Sequence, residues 1–184
     1  MSHTLFATHS GKLFDNSNMK PEDVCLEDIS HHLCNINRFG GCLPLSIRYS
    51  VASHSLNCFK MALKLFPGET EVWRTALMHD ATEAYLGDVV SGLKSCLSDY
   101  KHIETTLWHI IKEKYQLQEF SRVGEIDKRI MLDEAKSLLP KNYDIYLKHQ
   151  SYAAYNAIEI VPDKYPEMIK FMFLKTCGEI GIHD

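Results

Sequence analysis

The segment SVASHSLNCFKMALKLF, residues 50–66, does most to decide the fold of this chain. Four apolar side chains recur along it at helical intervals of three, four and seven residues: Val51, Cys58, Met61 and Leu65. Pro67-Gly68 follows directly and ends the pattern, because proline cannot continue the hydrogen bonding of a helix. We therefore predict a helix from about Ser50 to Phe66 with one buried face.

Similar apolar spacing predicts helices on both sides of this segment. They cover about 21–37, 69–85, 98–115, 121–139, 143–150 and 163–178. Residues 4–15 (TLFATHSGKLFD) predict a short β-hairpin with its turn at Ser10-Gly11, whereas 38–49 and 88–97 read as loop or brief helix. We expect one all-α domain, a helical bundle over residues 1–184, with the hairpin appended within residues 1–20.

Composition and charge exclude several classes of protein. The chain of 184 residues is 45% hydrophobic and carries 24 acidic against 20 basic residues, a net charge of −4. These values exclude a disordered chain and disfavour binding to a nucleic acid polymer, which needs a basic surface. We see no apolar run of membrane-spanning length and no signal peptide. The six cysteines form no CxxC pair, so we expect buried free thiols and a cytoplasmic protein that does not bind membranes.

Several polar residues occupy positions where the helical pattern predicts buried side chains. His54 falls on the apolar face of the helix predicted over 50–66, and His79, Asp80 and Glu83 share one broad face of the helix predicted over 69–85. Asp127 stands between apolar residues on the inward face of the helix over 121–139. Since an unpaired buried carboxylate costs several kcal/mol, these positions require compensating positive charge.

Two sources of positive charge remain open at this point. The first is a structural salt-bridge network with Arg74 or Lys94. The second is a divalent cation held by the two imidazoles and two carboxylates of His54, His79, Asp80 and Asp127. Such a mixed nitrogen and oxygen donor set suits Mn²⁺, Co²⁺, Fe²⁺, Zn²⁺ or Mg²⁺. Four protein ligands on an octahedral ion leave room for a water molecule and a phosphoryl oxygen.

At these residues the chain resembles the HD superfamily of metal-dependent phosphohydrolases. The pattern H…HD…D corresponds to His54, His79-Asp80 and Asp127. The stretches NRF (37–39), SVASHS (50–55) and HDATEAYLGD (79–88) resemble the YfbR-type 5′-deoxynucleotidases and their short phage and prophage relatives, some of which are dNTP triphosphohydrolases. The resemblance covers about residues 10–135, although DVVSGLK (88–94) lacks the prolines usual in that turn.

The resemblance also implies roles for individual residues. It makes His54, His79, Asp80 and Asp127 the metal ligands, and Glu83 and Asp88 the catalytic carboxylates. It makes Arg38, Phe39 and Lys94 the substrate-binding residues. From the residues alone, Arg38 could equally form a loop salt bridge, Phe39 could be a core aromatic, and Lys94 could be a solvated surface residue.

These roles lead to an expected function and one rival. The resemblance implies a phosphohydrolase that uses metal-activated water on (deoxy)nucleotides, either removing the 5′-phosphate of a dNMP or releasing triphosphate from a dNTP. It also implies a homo-oligomer, a dimer or larger. The rival is a metal-stabilised nucleotide-binding sensor or scaffold with little turnover, which would have no use for a proton acceptor such as Glu83.

Overall fold

The computed structural model describes residues 5–139, 141–148 and 151–184, and these are mostly helical. Strands β1 (Leu5–Ala7) and β2 (Leu13–Asp15) form an antiparallel hairpin in which Phe6 pairs with Phe14. Nine helices follow in the described residues: α1 (Leu26–Asn35), α2 (Val51–Leu65), α3 (Thr70–Met78), α4 (Glu83–Leu86), α5 (Ser91–Lys94), α6 (Ser98–Tyr115), α7 (Ser121–Leu138), α8 (Tyr143–Lys148) and α9 (Pro166–Glu179). The predicted all-α architecture with a small N-terminal hairpin is confirmed.

The helix predicted from Pro21 begins later than expected. Pro21–Asp23 form a single 3-10 turn, Val24 and Cys25 are extended, and α1 begins at Leu26. Tertiary hydrogen bonds explain the delay, because the Cys25 N–H donates to the Tyr85 hydroxyl at 3.1 Å and the Leu26 N–H donates to the Asp184 carboxylate at 3.0 Å. Residue 4 of the predicted hairpin and residues 149–150 of the helix predicted over 143–150 lie outside the described residues.

The prediction of one helix over residues 69–85 is wrong. α3 ends at Met78, a tight turn occupies 79–82, and α4 begins at Glu83. Through this turn the hydrogen bonds span three residues instead of four, from Ala81 N to Met78 O at 2.9 Å and from Glu83 N to Asp80 O at 3.0 Å. This 3-10 geometry rotates successive side chains by a larger angle than an α-helix would. His79, Asp80 and Glu83 are therefore placed by a turn between two helices.

Helix α2 lies at the centre of the bundle, because α1, α3, α7 and α9 all pack against it. One core cluster joins α1, α2, α6 and α9, with Phe14 of the hairpin and Phe173 of α9 fully buried in it. A second cluster lies between α2, α3 and α7 and includes Met61, Val72 and Ile130. Burial on several sides explains why His54, in the middle of α2, has no solvent exposure.

The start of α2 is fixed by a residue far away in the chain. The Asp163 carboxylate, just before α9, accepts hydrogen bonds from the Ser50 N–H at 2.9 Å and from the Ser53 hydroxyl. Ser50 itself caps the helix by accepting from the Ser53 N–H. These bonds hold the first turn of α2, immediately before His54. Over the described ranges, none of the helices has the length and apolar character needed to cross a lipid bilayer.

Candidate metal and catalytic site

Four predicted metal ligands from three parts of the fold meet at one place. Nε2 of His54 on α2 lies 3.1 Å from Oδ1 of Asp127 on α7 and 3.7 Å from Oδ2 of Asp80. Nε2 of His79 lies 3.2 Å from Oδ2 of Asp80 and 3.9 Å from Oδ1 of Asp127. Ligands about 2.1 Å from a metal ion lie about 3 Å apart when adjacent in an octahedron. The spacing of these donor atoms therefore fits a single shared cation.

Both imidazoles are oriented through their Nδ1 atoms. His54 Nδ1 lies 2.7 Å from Oε1 of Glu134, and His79 Nδ1 lies 2.9 Å from the carbonyl oxygen of Ala76. An imidazole that donates from Nδ1 to an oxygen keeps its lone pair on Nε2, where a metal can take it. His79 Nε2 is buried and has no hydrogen bond within the described residues, because its short contact to Asp80 lacks suitable geometry. The Nε2 atoms of both imidazoles thus face the same two carboxylates, those of Asp80 and Asp127.

Glu134 is a site residue that the sequence analysis missed. Its side chain is fully buried on α7, and Oε1 accepts from the Tyr49 hydroxyl at 2.9 Å as well as from His54. The Tyr49 hydroxyl in turn accepts from the Asn57 amide at 2.8 Å. A usable signal existed in the sequence, since Glu134 follows Asp127 by seven residues and so lies two helical turns along the same face.

Arg38 is buried at the site and pairs with two of its carboxylates. Nη1 lies 3.5 Å from Oδ2 of Asp80, and Nη2 lies 3.4 Å from Oε2 of Glu134. Burial would lower the pKa of Arg38, but the charges of Glu134 and Asp80 outweigh burial and raise it above the ordinary value. Arg38 is thus a permanent internal cation, and the contact with substrate that the resemblance implies stays a prediction.

The two cations offered as a structural alternative pair elsewhere. Arg74 contacts Glu71 at 3.3 Å and the Tyr115 carbonyl at 2.6 Å, while Lys94 contacts Glu104 at 2.7 Å. Among the described residues, neither Arg74 nor Lys94 therefore forms the alternative salt-bridge network with the site carboxylates, whereas Arg38 pairs with two of them.

The ionisation of the site depends on its two imidazoles. Burial would raise the pKa values of Asp80, Asp127 and Glu134, but His79 beside Asp80 and His54 beside the other two outweigh burial and hold these values below their usual range. Burial would lower the pKa values of His54 and His79, but the acidic groups around them outweigh burial and raise these values. Two imidazolium groups and the Arg38 guanidinium would balance the three carboxylates, whereas neutral imidazoles, the form that binds a metal, would leave a charge deficit that one divalent cation closes.

Glu83 and Asp88, the predicted catalytic pair, behave differently from the ligand carboxylates. Burial, followed by the charges of Asp80 and Asp88, raises the pKa of Glu83 well above its usual value. Burial also raises the pKa of Asp88. Oε2 of Glu83 is buried without a hydrogen-bond partner among the described residues. Glu83 is thus a carboxyl group that is able to hold or release a proton beside the ligand set.

Phe39 lies next to Arg38 in a strained turn. Its φ of 60° lies in the left-handed region, and Gly40 and Gly41 continue the turn with positive φ values of 57° and 80°. The half-buried ring packs against a core cluster that includes Tyr49 and Leu138, with the Arg38 guanidinium carbon 5.9 Å from its centroid. This packing fits the core-aromatic interpretation, and contact with a substrate sugar stays a prediction.

A thiol that was expected to be only a packing residue lies beside the site. Sγ of Cys58 is 3.4 Å from Nε2 of His54, and the donor atoms of His54, Cys58 and His79 all lie within 4.8 Å of one another, so this group could hold a metal ion. Burial raises the pKa of Cys58 to about 11, which favours the neutral thiol. Cys42 and Cys96 are exposed, so the expectation of buried cysteines is wrong for these two.

A cavity of about 280 Å³ opens on one side of the site. His79, Asp80, Thr82 and Lys94 line it together with Glu104, Thr105 and Trp108 of α6. The structure therefore brings Lys94, a predicted substrate-binding residue, to a cavity shared with two predicted metal ligands.

Sequence comparison finds relatives without an assigned function. No protein-family model matches the chain. The uncharacterized protein YfdR of Escherichia coli (strain K12) is 43% identical over 110 residues, which cover 60% of this chain and 57% of that protein. An uncharacterized protein of Rhodobacter capsulatus is 38% identical over 89 residues, covering 48% of this chain and 45% of that protein. The matches thus span about half the length of these relatives.

Proposed function

We propose that this protein is a metal-dependent phosphohydrolase of the HD type that acts on (deoxy)nucleotides. The observation that carries the proposal is the convergence of two Nδ1-anchored imidazoles and two ionised carboxylates, with the buried carboxyl group of Glu83 beside them. The resemblance of this pattern to H…HD…D supplies the reaction class and the substrate class.

We favour His54, His79, Asp80 and Asp127 as the metal ligands over the set that includes Cys58. The two carboxylates have lowered pKa values and are already ionised, whereas the Cys58 thiol, with a pKa of about 11, would first lose a proton. A divalent cation with Arg38 would balance the charges of Asp80, Asp127 and Glu134. The orphaned Nε2 of His79 fits this assignment as well.

A divalent ion held by these residues would supply Lewis acidity toward a phosphoryl oxygen and a water molecule of lowered pKa. The remaining tasks fall to the chain itself. Glu83 takes or returns a proton near the reacting phosphorus, and its raised pKa favours the protonated form from which a proton can be donated. Asp88 helps to set that pKa through its charge. Lys94 meets the substrate phosphate in the cavity.

The test is ³¹P NMR of the products formed with Mn²⁺ or Co²⁺ from a panel of deoxynucleoside mono- and triphosphates. We expect inorganic phosphate from monophosphates or triphosphate from dNTPs, and neither from Asp80→Ala. Glu83→Gln should retain metal and nucleotide binding while turnover falls by about 100-fold or more, the usual range for loss of a general acid or base. Unchanged turnover in Glu83→Gln would contradict its role, and metal binding without any product would favour the sensor.

The choice of metal ligands has its own test with cobalt. A Co²⁺–thiolate bond gives an intense charge-transfer band in the near ultraviolet, which carboxylate and imidazole ligands do not give. We expect the band to be absent from wild-type protein and metal affinity to fall in Asp127→Asn but not in Cys58→Ser. A strong band that disappears in Cys58→Ser would mean that the metal is bound by the set that includes Cys58 and would contradict our choice of ligands.

Self-association and a cytoplasmic location belong to the same proposal. Met168 and Phe171 on α9 are exposed, whereas Phe173 closes the core. We propose that the chain forms a homo-oligomer, which light scattering of the purified protein would test.

A further inference from the structure

The wall of the cavity contributed by α6 has no role in the function proposed above. Glu104, Thr105 and Trp108 form this wall opposite the His79-Asp80 turn. The Trp108 indole N–H donates to Glu119 at 3.1 Å, which fixes the ring. At about 280 Å³ the cavity lies at the small end of the range of ligand pockets. The cavity therefore suits a compact ligand with restricted space beyond its reacting group.

Lys94 is the one Lys or Arg among the described residues that line the cavity, and it is already paired. Its Nζ lies 2.7 Å from Oε1 of Glu104, with both side chains only about a quarter exposed or less. Burial would lower the pKa of Lys94, but the hydrogen bond and charge of Glu104 outweigh burial and raise it. The pair is thus a partly desolvated ion pair whose net charge is zero.

This pairing limits how much negative charge the cavity can accept. A single phosphate group could coordinate a divalent cation held by the proposed metal ligands and share the Lys94 ammonium with Glu104. Each additional phosphate group brings more negative charge to a wall that carries the Glu104 carboxylate, and a like-charge contact in a partly desolvated site is strongly unfavourable. Arg38 does not line this cavity, and its guanidinium faces Asp80 and Glu134.

We propose that Glu104 is a specificity-determining residue that restricts this cavity to ligands with one phosphate group by neutralising Lys94. The proposal rests on the proposed function for the identity of the site. Neither the proposed metal ligands nor the proposed catalytic carboxylates can select in this way, since they would contact the reacting phosphate of a nucleoside monophosphate and of a triphosphate alike. The proposal therefore assigns the selection to α6.

The test compares three inorganic anions on the Mn²⁺-loaded protein: phosphate, pyrophosphate and tripolyphosphate. Their dissociation constants are measured by calorimetry for wild type, Glu104→Gln and the control Glu113→Gln, which removes the same charge from an exposed position on the same helix outside the cavity lining. Every variant is measured in the same mixture of Mn²⁺ and anion, so the binding of anion to free Mn²⁺ affects all variants equally. It therefore cancels when the dissociation constants of two variants are compared as a ratio. Thermal unfolding of each variant checks that it is folded.

We expect Glu104→Gln to bind tripolyphosphate about tenfold more tightly than wild type, while its affinity for phosphate changes less than about threefold. Glu113→Gln should match wild type for all three anions. The double variant Lys94→Met/Glu104→Gln should show no gain in tripolyphosphate affinity, because it lacks the Lys94 ammonium that Glu104→Gln frees.

Two results would overturn the proposal. One is an equal change, or no change, for all three anions in Glu104→Gln. The other is a gain for tripolyphosphate that persists in the double variant, which would remove Lys94 from the explanation. Hydrolysis assays keep this outcome separate from the proposed function: altered anion selectivity without turnover of any nucleotide would reject the catalytic proposal and leave the selectivity intact.

Discussion

Replacing Glu134 with glutamine tests whether the buried network behind His54 prepares the site for a metal. Glu134 Oε1 is 2.7 Å from His54 Nδ1 and 2.9 Å from the Tyr49 hydroxyl, and Oε2 is 3.4 Å from Arg38 Nη2. Glutamine keeps the shape of the side chain but removes its charge. Its single oxygen can still accept from His54, whereas its NH₂ group would face the Arg38 guanidinium, a donor against a donor.

The magnitude follows from these contacts. Loss of a group that orients a metal-binding imidazole typically costs about 10- to 100-fold in metal affinity. Removal of one partner from a buried ion pair typically costs about 3–5 kcal/mol of stability. Because Arg38 retains Asp80 at 3.5 Å, we expect the lower end, about 3 kcal/mol. Glu134→Gln should therefore lose both metal affinity and free energy of unfolding.

Two measurements separate these effects. Mn²⁺ or Zn²⁺ affinity is obtained by competition with a chelator, and the free energy of unfolding is obtained from urea denaturation with chelator present. The control is Glu125→Gln on the same helix, because Glu125 is partly exposed and pairs with Arg129 at 3.0 Å, a surface pair worth about 0.5 kcal/mol. If Glu134→Gln bound metal as tightly as the Glu125→Gln control, the network would have no part in preparing His54.

Three further predictions concern the scaffold. Hydrogen bonds to Asp28, led by those from Ser10, outweigh burial and lower its pKa, so its contribution to stability is present above the unfolded pKa of about 4 and is lost as the pH falls below that value. Urea denaturation at pH 5 and pH 3 should therefore show a smaller pH dependence for Asp28→Asn than for wild type, and equal dependence would contradict this. Phe173→Ala should cost about 3–5 kcal/mol in the same assay, because the ring is fully buried between α9 and the core, and a loss below about 1 kcal/mol would mean that α9 is not firmly packed. Asp163→Ala should cost about 0.5–2 kcal/mol because the start of α2 loses bonds from Ser50 and Ser53, and a loss no larger than that of Lys175→Ala on the surface would argue against this role.

Local sequence patterns were sufficient for much of the helical architecture. The helix predicted over 98–115 agrees with α6, and the one over 121–139 agrees with α7 to within a residue. These helices have long, regular apolar spacing, so periodicity alone fixes them. The hairpin around Ser10-Gly11 could also be predicted from the sequence, because a turn of this kind requires a positive φ and Gly11 adopts a φ of 83°.

The same reasoning failed where tertiary contacts replace local hydrogen bonds. The turn over residues 79–82 looks like helix interior in the sequence, yet His79 bonds to the Ala76 carbonyl and the backbone tightens. The pairing of Arg38 with Asp80 and Glu134 could not be predicted either, because a loop position says nothing about partners that are distant in sequence. No single-sequence pattern records such pairings.

The sequence by itself determined that His54 and Asp127 would lie on inward faces of helices, because helical periodicity is a local property of the chain. It did not determine the turn between α3 and α4 that places His79 and Asp80. It could not determine the distances between the donor atoms of these four residues, the choice of Nδ1 partners, or the ionisation of Glu83 and Lys94. Those depend on the packing of α2 against α3 and α7, and of α5 against α6, which brings charges together across long sequence separations. Burial then makes each of those charges depend on its neighbours, and only the tertiary structure decides which neighbours they are.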